Sequence, residues 1–134
     1  MNTYKVEHGN EIQHHTPVVV FPADRPAALA TGRLLGRRGI PVYGIDADPK
    51  EIAMVSRYIR PVLLPNQDES DENRLECLLN LGKQLSNAVL IPVSDDAVIL
   101  TSKYRQELQK YYRFVMSDHT TITSLTGSFL WAGI

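Results

Sequence analysis

Short polar segments follow three apolar runs of the sequence, and they carry the side chains best suited to hold a ligand. These side chains are Asp24 and Arg25, then Asp46, then Ser94 and Asp95. Carboxylate and hydroxyl oxygens accept hydrogen bonds from amines, whereas a guanidinium pairs with a carboxylate or a phosphate. We predict that these residues contact a small polar substrate, with Arg25 as the partner of any carboxylate or phosphate. No catalytic residue and no metal ligand is predicted.

Each of these residues could instead serve the fold alone, without contacting a ligand. Ser94 with the acids after it could cap a helix and complement its dipole. Asp46, together with Asp48 before Pro49, could form a turn. Asp24 and Arg25 precede Pro26, and a role in helix entry is equally open.

The loop after the first apolar run argues against a dinucleotide. A dinucleotide site needs glycines there, so that the backbone and a helix N-terminus can approach the pyrophosphate. Pro22 and Pro26 instead remove N–H donors, and Asp24 adds negative charge. Asp46 stands about where a ribose-binding acid would, but one such acid is weak evidence. Phosphate-loop, serine-elbow, zinc-cysteine and kinase motifs do not occur either.

Strand-like and helix-like runs alternate along the chain. Strands are predicted at 17–21, 41–45, 60–64, 88–93 and 113–116. Helices are predicted at 26–38, at 71–85 and from Ser94 to Tyr111, with a short helix or turn at 49–57. Short strands followed by helices predict an α/β, three-layer fold with a mainly parallel sheet in the order 3-2-1-4-5 and helices on both faces. Ligands bind at the carboxyl ends of such strands, where the candidate residues would converge.

Individual residues indicate where the first helix begins and ends and which sides of the helices face the sheet. Pro26 suits a first helical position and Gly39 a left-handed cap. Cys77 is predicted to lie away from the leucine-rich side of its helix. The first helix is predicted to turn a face of mostly small groups to the sheet, namely Ala27, Ala30, Thr31 and Leu34.

The length, charge and cysteine content of the chain indicate its domain organisation, its partners and its location. The 134 residues suffice for one compact domain, and we predict a flexible leader at 1–16, the domain at 17–117 and a linker from 118. A net charge of −1 provides no general attraction for nucleic acid or an anionic membrane. No apolar stretch approaches the roughly 20 residues that span a bilayer. A single cysteine agrees with a reducing compartment, and the cytoplasm is the expected location.

Several segments together resemble a known family. They are VVVFPADRPAALATGRLLGRRGIPVYGID, SRYIRPVLLP, a leucine-rich helix, VLIPVSDDAVILTSKYRQEL and YRFVM. Over about 17–116 they resemble the amino-terminal, pre-ATP-grasp domain of ATP-grasp carboxylate–amine ligases, whose usual patterns are near LGAGxPALAxxRSLGRRGIPVYGID and LIPTSDEAV. The chain departs from that family with Pro22, Ala23 and Asp24 in place of GAG. It departs again with Thr126, Gly127 and Ser128 in place of an Asp-Lys pair.

The resemblance implies a Rossmann-like domain that lines one wall of the active-site cleft and helps hold a carboxylate or amine substrate. ATP and magnesium would be bound by later domains, so this chain would hold no cofactor and would be inactive alone. Two alternatives remain open from the sequence. One is a free-standing nucleotide- or metabolite-binding module. The other is a homodimer formed through apolar residues such as Phe129, Leu130 and Trp131.

Overall fold

The computed structural model describes residues 15–114, which are built around a five-stranded sheet. Its strands are β1 (Val18–Phe21), β2 (Val42–Asp46), β3 (Arg60–Leu63), β4 (Ala88–Pro92) and β5 (Tyr112–Phe114). The order is β3-β2-β1-β4-β5 and every pairing is parallel. The predicted sheet and its order are confirmed.

Helices cover both faces of this sheet, as predicted. They are α1 (Pro26–Gly36), α2 (Asp71–Leu85), α3 (Asp95–Lys103) and α4 (Arg105–Leu108), with 3₁₀ turns at Ile52–Val55 and Pro65–Gln67. α1 and the first 3₁₀ turn pack on one face, and α2, α3 and α4 pack on the other. The fold is therefore a three-layer, Rossmann-like α/β arrangement.

The central strand β1 is buried on both sides. Val19 and Phe21 face α2, whereas Val18 and Val20 face α1. All four side chains are buried, as expected for a strand of a parallel sheet with helices on both faces.

The next strand, β4, is covered completely on one side and only in part on the other. Its residues toward α2 and α3 are fully buried, but Val89, Ile91 and the following Val93 on the other face are only partly buried. α1 packs over β1 and β2 rather than over β4. An apolar strip of β4 beside α1 is thus left partly open within the described residues.

The predicted inner face of α1 was wrong. The buried residues are Ala28 and Gly32, whereas the Leu34 side chain is 55% exposed. The reason is the close approach of the helix to Ile59, whose side chain occupies the space that a Cβ at Gly32 would need. That contact sets the rotation of α1 and turns Leu34 outward.

The prediction for Cys77 was also wrong, because the thiol is buried against the sheet. A Cβ at Gly82 would lie 2.7 Å from the Tyr111 Cβ, so α2 meets the β5 side of the molecule at its glycine. The hydroxyl of Tyr112 also donates to the carbonyl of Leu78 at 2.7 Å. These contacts turn the Cys77 side of α2 inward.

The ends of the helices match the predictions in part. Gly39 has a φ of 83° and forms the predicted left-handed turn, although α1 already ends at Gly36. The single helix predicted to reach Tyr111 is interrupted at Tyr104, which has a φ of −107° and a ψ of 31°. The break redirects the chain into α4, where Leu108 is fully buried, and so this prediction was wrong.

Residues 1–14 and 115–134 lie outside the described residues. They include most of the predicted leader and all of the predicted linker. Across 15–114, none of the helices combines the length and apolar character needed to cross a bilayer.

Candidate functional site

Backbone hydrogen bonds hold the carboxyl ends of neighbouring strands together. The N–H of Ala23 donates to the carbonyl of Ile45 at 2.8 Å, and the N–H of Val93 donates to the carbonyl of Phe21 at 2.9 Å. The loops after β1, β2 and β4 therefore meet at one edge of the sheet. A cleft of about 140 Å³ opens between them, at the point where the strand order reverses.

Four of the five predicted residues line this cleft: Asp24, Arg25, Asp46 and Ser94. The fifth, Asp95, lines an adjacent groove between α1 and β4 instead. Its neighbour Asp96 faces the cleft in its place. The parallel sheet thus brings the polar loops together, and their binding of a substrate stays a prediction.

Sequence reasoning missed two further residues of the cleft, Glu69 and Arg74. Glu69 belongs to the loop after β3, and Arg74 lies in the first turns of α2. Because β3 is parallel to its neighbours, its loop also emerges at the carboxyl edge. That topology was the available signal, but it does not indicate which side chain of the following helix points inward.

Arg74 is the least satisfied charged group of the cleft. Its side chain is 18% exposed, and its Nη2 lies 3.5 Å from Oε1 of Glu69. Its Nε is buried without a hydrogen-bond partner among the described residues. Buried donors of this kind are rare in folded proteins and invite a ligand acceptor. Arg74 can therefore offer a donor to a carboxylate.

Arg25 forms the second cationic group of the cleft. Its Nε lies 3.3 Å from Oδ1 of Asp24, and both side chains are more than a third exposed. An ion pair this exposed contributes only about 0–1 kcal/mol to stability. Arg25 can therefore exchange Asp24 for a ligand anion at little cost.

Asp46 is the most buried carboxylate of the cleft, with 8% of its surface exposed. Burial raises its pKa, and the negative charges of Asp24, Glu69 and Asp48 raise it further. The N–H of Asp48 donates to Oδ2 of Asp46 at 3.0 Å and acts in the opposite direction. This hydrogen bond forms a turn, so the structural role predicted for Asp46 is confirmed. The charge environment would also favour a cationic ligand group beside it.

α3 and α1, which both begin near the cleft, are capped differently. Oγ of Ser94 accepts from the N–H of Ala97 at 3.1 Å, so the capping alternative for Ser94 is fulfilled. Its hydroxyl proton can still be donated to a ligand. α1 begins at Arg25 without any side-chain cap and with Pro26 in its first turn. Pro26 has no N–H, and the N–H groups of Ala28 and Leu29 donate to the carbonyl of Arg25, so the first turn of α1 keeps few free backbone donors.

The charges of the cleft fit a zwitterion better than a polyphosphate. The carboxylates of Asp24, Asp46, Glu69 and Asp96 outnumber the two guanidiniums. Among residues 15–114, no three His, Cys, Asp or Glu side chains are grouped so that they could hold a metal ion. A triphosphate would meet net negative charge in the cleft. Comparison with family models, curated proteins and solved structures finds no match to this chain.

Proposed function

We propose that this chain provides the substrate-side domain of an ATP-grasp ligase and holds a small carboxylate or amine substrate for ATP-dependent ligation. In the full enzyme, ATP would phosphorylate a carboxylate, and an amine or thiol would then attack the acylphosphate. The domain alone would catalyse nothing. The proposal draws on the resemblance of 17–116 to pre-ATP-grasp domains and places the protein in the cytoplasm.

The observation that carries the proposal is the mixed charge of the cleft. Arg74 and Arg25 can hold a carboxylate, and the buried Asp46 can hold an ammonium group. Both kinds of group converge within about 140 Å³, which suits a molecule of few heavy atoms. A ligand with both charges would satisfy both sets of residues.

The charges of the cleft also bear on where ATP would bind in the full enzyme. Transfer of a phosphoryl group needs metal ions and basic side chains to stabilise the developing charge. The first loop instead presents Asp24 between two prolines, Pro22 and Pro26. We therefore assign ATP and magnesium to a part of the enzyme outside residues 15–114.

A free-standing binding module is the second candidate, favoured by the uncapped start of α1. The positive end of the helix dipole at such a start attracts phosphate and other anions. A nucleotide monophosphate or an anionic metabolite would then be the ligand. The carboxylates of Asp24 and Asp46 disfavour this candidate, because they lie at the same edge of the sheet and their negative charge would repel an anionic ligand.

Thermal unfolding with a panel of compounds tests these candidates on the chain as it is. The panel contains amino acids, their deaminated carboxylate analogues, the corresponding amines, ATP with magnesium, and NAD. A compound present at 100 times its Kd raises the free energy of unfolding by about 2.7 kcal/mol. We expect an amino acid to raise the Tm more than its carboxylate or amine analogue, and ATP with magnesium to leave it unchanged.

Two outcomes of this experiment would contradict the proposed function. A rise in Tm with nucleotides alone would favour the free-standing module. Equal responses to an amino acid and to both of its analogues would show that the mixed charge of the cleft does not select the ligand.

A further inference from the structure

The partly open strip of β4 forms one wall of a groove of about 260 Å³, and α1 forms the other. We call it the β4 groove; its walls include Ala27 and Thr31 of α1 and Ile91 and Val93 of the β4 side. β4 lies between β1 and β5, so it is not an edge strand. Strands inside a parallel sheet are normally covered on both faces. The groove is therefore a place where a further segment can pack.

We propose that residues 117–134 of this chain dock in the β4 groove and complete the layer that α1 begins. β5 ends at Phe114, and its neighbour β4 ends beside Val93 at the same edge of the sheet. Neighbouring strands are only about 4.8 Å apart. The chain thus leaves β5 next to the mouth of the groove.

On the opposite face, the side chains of β5 and α4 are already packed together. There Leu108 and Tyr112 are buried, and Phe114 packs against the same cluster. On the α1 face, by contrast, the β4 groove is open to a segment that follows Phe114.

The composition of 117–134 suits the groove. Ile122, Leu125 and Phe129 recur at i, i+3 and i+7, the spacing of one helix face. Ser117 and Asp118 are residue types that start helices. At a rise of about 1.5 Å per residue the segment could reach about 27 Å as a helix, more than the roughly 17 Å of a five-residue strand. It is long enough to cover β4 completely.

Covalent attachment favours this segment over a second copy of the chain. A short tether gives a local concentration of about millimolar, whereas a second copy at working concentrations competes at micromolar. The proposal stands independently of the proposed function, because it uses only the sheet and the residues that follow it.

Trp131 is the one tryptophan of the sequence, and at i+9 from Ile122 it falls on the opposite side of such a helix. The readout is therefore a tryptophan moved onto the apolar face by Phe129→Trp together with Trp131→Phe, and this double variant is the parent chain of the experiment. We expect the emission of this tryptophan in the full chain to be blue-shifted and its quenching by acrylamide to be several-fold weaker than in denaturant, at every protein concentration. Ala27→Arg places a long cation at the wall of the groove and should restore strong quenching. Ala30→Arg makes the same change on the exposed side of α1, outside the groove, and should leave quenching as in the parent chain.

Circular dichroism of both variants verifies that the sheet is intact, and sedimentation gives the mass in each sample. A tryptophan at position 129 that is quenched as strongly in the folded chain as in denaturant would overturn the proposal. So would equal quenching in the two variants. Shielding that appears only as the protein dimerises would assign the groove to a second copy and would also reject intrachain docking.

Discussion

The guanidinium carbon of Arg74 lies 5.8 Å from the centre of the Phe21 ring. A residue of α2 thereby rests on the last residue of β1, across the floor of the cleft. Cation–π contacts of this kind contribute about 0.5–1 kcal/mol where solvent is near. The contact holds the arginine in place before any ligand arrives, so less side-chain freedom is lost on binding.

Replacing Arg74 with methionine should separate binding from stability. Methionine keeps an unbranched stem on Phe21 and removes the buried Nε that lacks a partner. We expect the free energy of unfolding to change by less than about 1 kcal/mol, while the rise in Tm caused by an amino acid is lost. The measurement is thermal unfolding with and without the compound. Arg33→Met, at an exposed position of α1, is the control and should keep the full response.

Two serines with the same capping geometry distinguish a cap from a ligand contact. Oγ of Ser94 accepts from Ala97 at 3.1 Å, and Oγ of Ser70 accepts from Asn73 at 3.2 Å. Each change to alanine should cost about 1 kcal/mol in denaturant unfolding. Only Ser94→Ala should also weaken the response to the compound, since Ser70 lies outside the cleft lining. An equal response in both variants would restrict Ser94 to its structural role.

Asp46→Asn should alter the dependence of stability on pH. The raised pKa of Asp46 means that the folded protein holds this proton more tightly than the unfolded chain, where the pKa is about 3.9. Its stabilising effect is therefore complete below pH about 4 and is lost as the pH rises through the folded-state pKa. Asparagine stays neutral and keeps an acceptor for the Asp48 N–H. The variant should be more stable than the parent at pH 7, and the difference should shrink toward pH 3.

The control for this experiment is Asp68→Asn. Oδ1 of Asp68 accepts from the N–H of Ser70 at 2.9 Å, the same two-residue turn bond in an exposed position. Unfolding of both variants in urea from pH 3 to pH 8 makes the comparison. A parallel shift in both would assign the effect to turn chemistry rather than to the charges of the cleft.

Gly39 and Gly44 should differ in which substitutions they tolerate. Gly39 has a φ of 83° and open space around it, so asparagine should be accepted and alanine should cost about 1 kcal/mol. At Gly44 a Cβ would lie 2.8 Å from Cγ2 of Ile59 and 3.2 Å from Cβ of Ala23. Overpacking there should cost about 1–3 kcal/mol for alanine. Urea unfolding measures both, and a smaller cost at Gly44 than at Gly39 would contradict the packing argument.

The sheet could be predicted from the sequence because its signals are local. Each strand is a short apolar run, and Pro26 and Gly39 mark a helix start and a turn. Parallel strands place all their following loops at one edge, so the meeting of Asp24, Asp46 and Ser94 followed from the topology.

The rest of the site depends on contacts between distant parts of the chain. The Gly32–Ile59 contact sets the rotation of α1, and the Gly82–Tyr111 contact sets that of α2. Without them the helical period alone could not indicate that Cys77 turns inward or that Arg74 reaches the cleft. Ser94 and Asp95 are adjacent in sequence, yet Ser94 lines both the cleft and the β4 groove, whereas Asp95 lines the groove and not the cleft.

Cys77 gives the molecule a built-in probe of motion. It is the one thiol of the sequence, and burial on α2 raises its pKa and shields it from reagents. A maleimide can therefore react with it only while α2 is displaced from the sheet, and the labelling rate reports how often that happens. Because the same helix carries Arg74, slower labelling in the presence of a bound compound would measure how firmly occupancy of the cleft restrains α2.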